Sequence, residues 1–151
     1  MNWRNLRVVF LITSVILTGC MKPQVRLFTD DTVPFEEYTL EGTGPEKILV
    51  VSVDGKITDA PSRGLLRDRP GLVQNVVAQL RKAEKDEQIK ALILKIDSPG
   101  GTVTASDILY HEIQAYQGRS GVKVIALLMG LAASGGYYVA LPADLIVAHP
   151  T

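Results

Sequence analysis

The chain has 151 residues, 46% of them hydrophobic and 21% charged, and its 16 basic and 16 acidic side chains leave no formal net charge. That length suits one compact domain with accessory termini, and the balance excludes both a disordered chain and a strongly basic nucleic-acid binder. A lone cysteine rules out an internal disulfide, and two separated histidines, His111 and His149, offer no metal-ligand pattern.

Arg4 and Arg7 precede an apolar run, Val8 to Leu17. Its length, roughly ten residues, falls within the range of about 7–15 for a signal-peptide core and short of the ~18 that span a bilayer. The run ends in Leu17-Thr18-Gly19-Cys20, which resembles the bacterial lipobox: small residues precede a cut, and a nucleophilic thiol takes up diacylglycerol. The expectation is a lipoprotein signal peptide over 1–20 and lipid attachment at Cys20. Two or three acyl chains would hold the chain firmly, where one binds only marginally. The mature protein then sits in a bacterial cell envelope, on the periplasmic or other extracytoplasmic face. Met21 stands where an aspartate favours inner-membrane retention, which tilts the expectation toward an outer membrane. Residues 21–46 are polar and broken by Pro23, Pro34, Gly42, Gly44 and Pro45, a flexible tether by composition.

The body, residues 47–151, alternates strands and helices. Lys47 to Val53 is a β-branched run closed by Asp54-Gly55, a buried strand and a turn. After Pro70-Gly71, the spacing of Leu72, Val73, Val76, Val77, Leu80 and Ala83 predicts an amphipathic helix over 72–83. The mixed charges from Arg81 to Lys90 read as its solvated end. Ala91 to Ile96 is a second strand, and Asp97-Ser98-Pro99-Gly100-Gly101 a turn. Thr104 and Asp107 fit a capping pair for a helix reaching about Tyr116, with Ile108, Leu109 and Ile113 inward. A third strand covers 123–128. A Gly/Ala-rich corner, 129–136, then leads to a short helix stopped before Pro142, and 145–148 is a fourth strand. This order predicts an α/β fold with a parallel sheet and right-handed crossovers, its site beyond the carboxyl ends of the strands.

Both glycine-rich corners lie at such ends. Ser134, in Ala132-Ala133-Ser134-Gly135-Gly136, has small neighbours that permit a sharp turn and a close approach by a substrate carbonyl. The Gly135 N–H at a helix start is placed to stabilise a developing oxyanion. A second donor is expected from the Gly100-Gly101 turn, where Pro99 stiffens the backbone and glycine lets an amide face the site. Taken singly, the Ser-Gly-Gly corner reads more readily as a helix cap; the pairing of two such corners gives it meaning. Asp97 is expected to organise its own turn. His111 falls on an exposed helix face. Tyr137 and Tyr138 read as core packing or, alternatively, as walls of a hydrophobic groove.

From Lys47 onward the sequence resembles the signal peptide peptidase A (SppA, protease IV) family, within the broader Clp protease/crotonase-like fold. The match rests on Ile96-Asp97-Ser98-Pro99-Gly100-Gly101, on Ala132-Ala133-Ser134-Gly135-Gly136-Tyr137-Tyr138, and on Ala143-Asp144 with Ile146, Ala148 and Pro150. The resemblance implies a serine endopeptidase with Ser134 as nucleophile, an oxyanion hole from Gly100 and Gly101, no cofactor, and ring-forming homo-oligomers. It also implies hydrophobic substrates, such as signal peptides already cleaved and left in the membrane. The family pairs its serine with a lysine that lies beyond Thr151, so only the front, N-terminal part of the family domain is expected, in a fragment or truncated product. A hydroxyl without a positioned base is a poor nucleophile. His149, where related Clp proteases carry a histidine, is the alternative base. A non-enzymatic reading stays open: a lipid-anchored relative that binds peptides or assembles with an intact copy.

Overall fold

The computed structural model describes residues 35–63 and 68–150. Cys20, the expected signal peptide and most of the expected tether lie outside them. Residues 35–46 are exposed and carry no regular element. Among the described residues no helix is long and apolar enough to cross a membrane.

The elements are β1 (Lys47–Asp54), β2 (Ser62–Arg63), β3 (Asp68–Arg69), α1 (Leu72–Ala83), β4 (Ile89–Ser98), α2 (Val103–Ser120), β5 (Lys123–Ala132), α3 (Gly135–Ala140) and β6 (Leu145–Ala148). β1, β4, β5 and β6 form one parallel sheet in that order. Each connection steps to the next strand in one direction, so crossovers of one hand lay all three helices on the same face. The core agrees. Val51, Val53, Leu92, Leu94, Ile96, Val124 and Ala126 pack with Val73, Val76, Leu80, Leu109, Ile113 and Tyr116 in one buried cluster.

The register shows what the other face holds. Val50, Ile93, Ile125 and Leu145 are partners across all four strands, as are Ser52, Lys95, Leu127 and Val147. Strand pleating puts each set on the side away from the helices. Ile48 is 65% exposed there and Leu145 54%. Among the described residues, helices cover the sheet on one side only.

Several boundaries differ from the sequence reading. β4 continues through Asp97 and Ser98, and β5 through Ala132, past the segments read as turns. α2 begins two residues early and runs to Ser120. Thr102, not Thr104, caps it, its hydroxyl accepting from the Ala105 N–H at 3.3 Å. Ile108 is 39% exposed rather than inward, and the buried Tyr116 takes a place in the core instead. The two-residue β2–β3 pair carries no alternation a sequence could announce.

At the amino ends of the strands, Lys47 Nζ lies 2.6 Å from Asp86 and 3.1 Å from Glu37, while Lys82 donates to the Phe35 carbonyl. These contacts raise the Lys47 pKa, the Asp86 hydrogen bond most. They fasten residues 35–37 to the domain. Elsewhere, Arg119 pairs with Glu84 at 2.6 Å and ties α2 to the end of α1.

Candidate active site

The carboxyl end of β4 leads into Pro99-Gly100-Gly101, and that of β5 into Ala133-Ser134. Ser98 joins the two. Fully buried, its hydroxyl donates to the Gly55 carbonyl at 2.6 Å and accepts from the Gly100 N–H at 3.0 Å; its own carbonyl accepts from Ala133 N at 3.0 Å. Asp97 reaches across as well, Oδ1 accepting from the Leu131 N–H at 2.9 Å. It therefore organises the neighbouring corner, not its own turn.

The corners touch. A Cβ placed on Gly100, whose φ is +95°, would lie 2.8 Å from the Gly135 nitrogen and 3.0 Å from Ser134 Cβ. One on Gly135 would lie 3.4 Å from the Gly101 nitrogen and 2.2 Å from Ser106 Oγ. No side chain fits between these segments, which is why the sequence has glycine at each point of approach.

Ser134 has φ 51° and ψ −121°, the sole non-glycine residue among those described with a positive φ. Such a conformation costs an L-residue about 1–3 kcal/mol and gathers at functional sites. The Ser134 side chain does not cap α3 and the residue is exposed, so the helix-cap reading is set aside. Instead its carbonyl accepts from Tyr137 N and Tyr138 N, both at 3.1 Å.

The expected oxyanion donors sort into two kinds. The Gly100 N–H is already held by Ser98, which corrects its assignment as a donor; its part is the left-handed turn. Gly101 differs. It forms a parallel bridge with Ile57, in which Ile57 N donates to Gly100 O and Thr102 N to Ile57 O, each at 3.0 Å. That pattern turns the Gly101 N–H away from Ile57, and no described residue accepts from it or from Gly135 N–H. With α3 only six residues long, the local amides matter here more than a helix dipole.

Beside Ser134 opens a hollow of about 240 Å³ between the two corners and the first turns of α2. Val103, 86% exposed, and Tyr138 form its walls, with the buried Ser106 at the base. The Ser106 hydroxyl donates to Thr102 O at 3.0 Å. Tyr138 is stacked on Tyr110, ring centres 5.0 Å apart, and its hydroxyl donates to Asp107 Oδ1 at 3.0 Å. That bond, with some loss of hydration, raises the phenol's pKa. Core packing is thus the wrong reading for this pair: Tyr138 lines the hollow and Tyr137 is 48% exposed.

The candidate bases are more scattered. Lys123 starts β5, at the far end from Ser134, and is bound to Asp144 at 2.7 Å. Lys95 lies mid-strand in register with Ser52 and Leu127. His149 follows the edge strand β6, exposed, its main-chain N–H donating to Leu128 O at 3.0 Å. His111 is exposed as expected, 3.6 Å from Asp107. Among the described residues, no group of three or more His, Cys, Asp or Glu side chains could hold a metal ion. Ser98 and Ser106 were not legible in advance. Their only signal was a serine beside a Gly-rich turn, and their roles depend on contacts from distant segments.

A parallel α/β sheet that delivers a strained, exposed serine and two unengaged amides to one hollow has the parts for acyl transfer to a hydroxyl. Comparison with known proteins agrees with that class. The family model for Clp protease matches residues 69–146, and the chain belongs to that family. It is 41% identical over 105 residues to protease 4 of Haemophilus influenzae and 37% identical over 106 to that of Salmonella typhi, alignments covering 69% of this chain and 16% of each relative. A putative signal peptide peptidase SppA of Enterococcus faecium is 30% identical over 136 residues, 90% of this chain and 38% of that protein. The chain thus spans well under half the length of these relatives.

Proposed function

We propose that this chain carries the nucleophile and oxyanion hole of a serine endopeptidase of the signal peptide peptidase type, with Ser134 as the attacking residue. The observation that carries the reading is the meeting of the two corners. There Gly101, Gly135 and the exposed Ser134 line one hollow, with Ser134 on a strained turn; on this reading the two glycine amides flank its hydroxyl. Ser134 Oγ would add to a peptide carbonyl as its proton passes to the base, and the two N–H groups would hold the resulting oxyanion. The C–N bond would then break as the leaving amine takes that proton from the base, and water would hydrolyse the acyl-serine ester to free the hydroxyl. Losing one such donor typically costs about 3–4 kcal/mol of transition-state stabilisation. The base is a lysine outside the described residues, on this protein or a neighbouring subunit of a homo-oligomer. Its amine needs burial to be neutral near pH 7, which the exposed Lys123 lacks. Substrates are hydrophobic peptides such as spent signal peptides, met at a membrane to which Cys20 fastens the protein in the bacterial envelope.

Fluorophosphonate labelling tests the reading. Covalent modification at Ser134, lost in Ser134→Ala and retained in His149→Ala, is the expected result. No labelling, even with an intact relative added, leaves a peptide-binding or assembly protein instead.

A further inference from the structure

The hollow beside Ser134 has a chemical asymmetry that the backbone geometry does not require. Its volume of about 240 Å³ exceeds the ~150 Å³ that admits a benzene ring in an engineered cavity. A side chain of leucine, lysine or phenylalanine size therefore fits. The nearer walls, Val103 and the Tyr138 ring, are apolar and suit a hydrocarbon stem. Among the described residues, Asp107 is the one acidic or basic residue lining the space. Its carboxylate takes the Tyr138 hydroxyl at 3.0 Å and His111 Nε2 at 3.6 Å, both on Oδ1. The Asp107 side chain is half exposed, so the carboxylate remains available to a further donor.

Resting on the peptidase reading for its placement, we propose that Asp107 is a specificity-determining residue. It makes the hollow accept the side chain preceding the scissile bond when that side chain has an apolar stem and a basic tip, lysine or arginine, and disfavour an acidic one. A cationic tip would add a charge-assisted bond to Asp107. An acidic tip would bring a second carboxylate to a wall whose described residues include no lysine or arginine to balance it. Signal peptides carry basic residues ahead of an apolar core, so such a subsite would direct cleavage to the border between them. The Tyr138–Asp107 bond serves the same end, fixing the aromatic wall and the carboxylate relative to each other.

Binding, measured apart from cleavage, tests this. Acetylated tripeptides ending in Lys, Leu or Glu with a free carboxylate are titrated at low salt into the chain and into Ser134→Ala. The Lys peptide should bind about tenfold more tightly than the Glu peptide, with Leu between, since each exposed charge contact is modest. Raising the salt should shrink the difference. Asp107→Asn keeps an acceptor for Tyr138 and removes the charge; it should bring the Lys-to-Glu ratio below about twofold. Equal binding of the three peptides, no binding by any, or a ratio preserved in Asp107→Asn would overturn the proposal. The two readings fail separately. Absent Ser134 labelling with the Lys preference intact removes the peptidase reading alone, whereas labelling without discrimination removes this one.

Discussion

At Ser134 the backbone and the proposed chemistry pull in opposite directions. Its φ of 51° with ψ −121° is close to the first central position of a type II′ turn, which glycine takes without penalty. Ser134→Gly should therefore raise stability in urea by about 1 kcal/mol or less, after the added freedom of the unfolded chain is counted, while abolishing labelling. A loss of stability instead would show that the turn is unstrained. The neighbouring glycine is constrained by space. Gly135→Ala should destabilise the fold by about 1–3 kcal/mol, because its methyl would sit 2.2 Å from Ser106 Oγ. Ser106→Ala in the same chain should recover part of that loss, since the clashing atom is gone although Ser106 Cβ stays at 3.1 Å. Purely additive effects in the double-mutant cycle would contradict this contact.

Among the elements, β6 shows how a short edge strand is secured. Asp144, just before it, accepts from Lys123 Nζ at 2.7 Å, from the Val124 N–H at 2.9 Å and from Gln117 at 2.9 Å, which ties together the starts of β5 and β6 and the last turn of α2. The Lys123 bond, followed by that of Val124, lowers the carboxyl from its ordinary 3.8 to about 2. A depressed carboxylate stabilises the fold above its unfolded value and loses that contribution as pH falls toward the folded one. The acid limb of a stability curve should thus steepen below about pH 4, and Asp144→Asn should flatten it. An unchanged limb in the variant would show that Asp144 contributes nothing.

The same elements mark how far local pattern reaches. α1 and β6 fall on the residues read from sequence, because hydrophobic period and flanking Gly or Pro define them without outside help. β4 and β5 overran their predicted ends since Asp97, Gly130 and their neighbours look like turn residues. The Asp97–Leu131 bond between strands holds them extended, and composition along one segment cannot reveal it. The α2 start was misplaced by two residues where two threonines compete as cap. For the site, the approach of the Ser134-Gly135 corner to the Gly100-Gly101 corner was readable from the two glycine-rich segments. The capture of the Gly100 amide by Ser98 was not, because it depends on a buried hydroxyl reaching two residues ahead while held by Gly55.

At the scale of the whole fold, the described residues leave the sheet with one dressed side and one bare one. Val50, Ile93, Ile125 and Leu145 make an apolar row across the side without helices, the kind of patch that marks an interaction surface. The 151-residue chain should self-associate, or bind a hydrophobic dye strongly, at micromolar concentration. Val50→Lys with Leu145→Lys should shift it toward monomer in sedimentation velocity; a monomer with no dye binding in the unaltered chain would count against an open face. The charged clasp on Phe35 and Glu37 has a different consequence. It lies where the strands begin, whereas Ser134 crowns where they end, and β4 alone, with ten residues, spans about 33 Å between those poles. Any pull applied through residue 35 would therefore enter the domain at the pole opposite Ser134, and load the Lys47 and Lys82 contacts before it reached the serine corner.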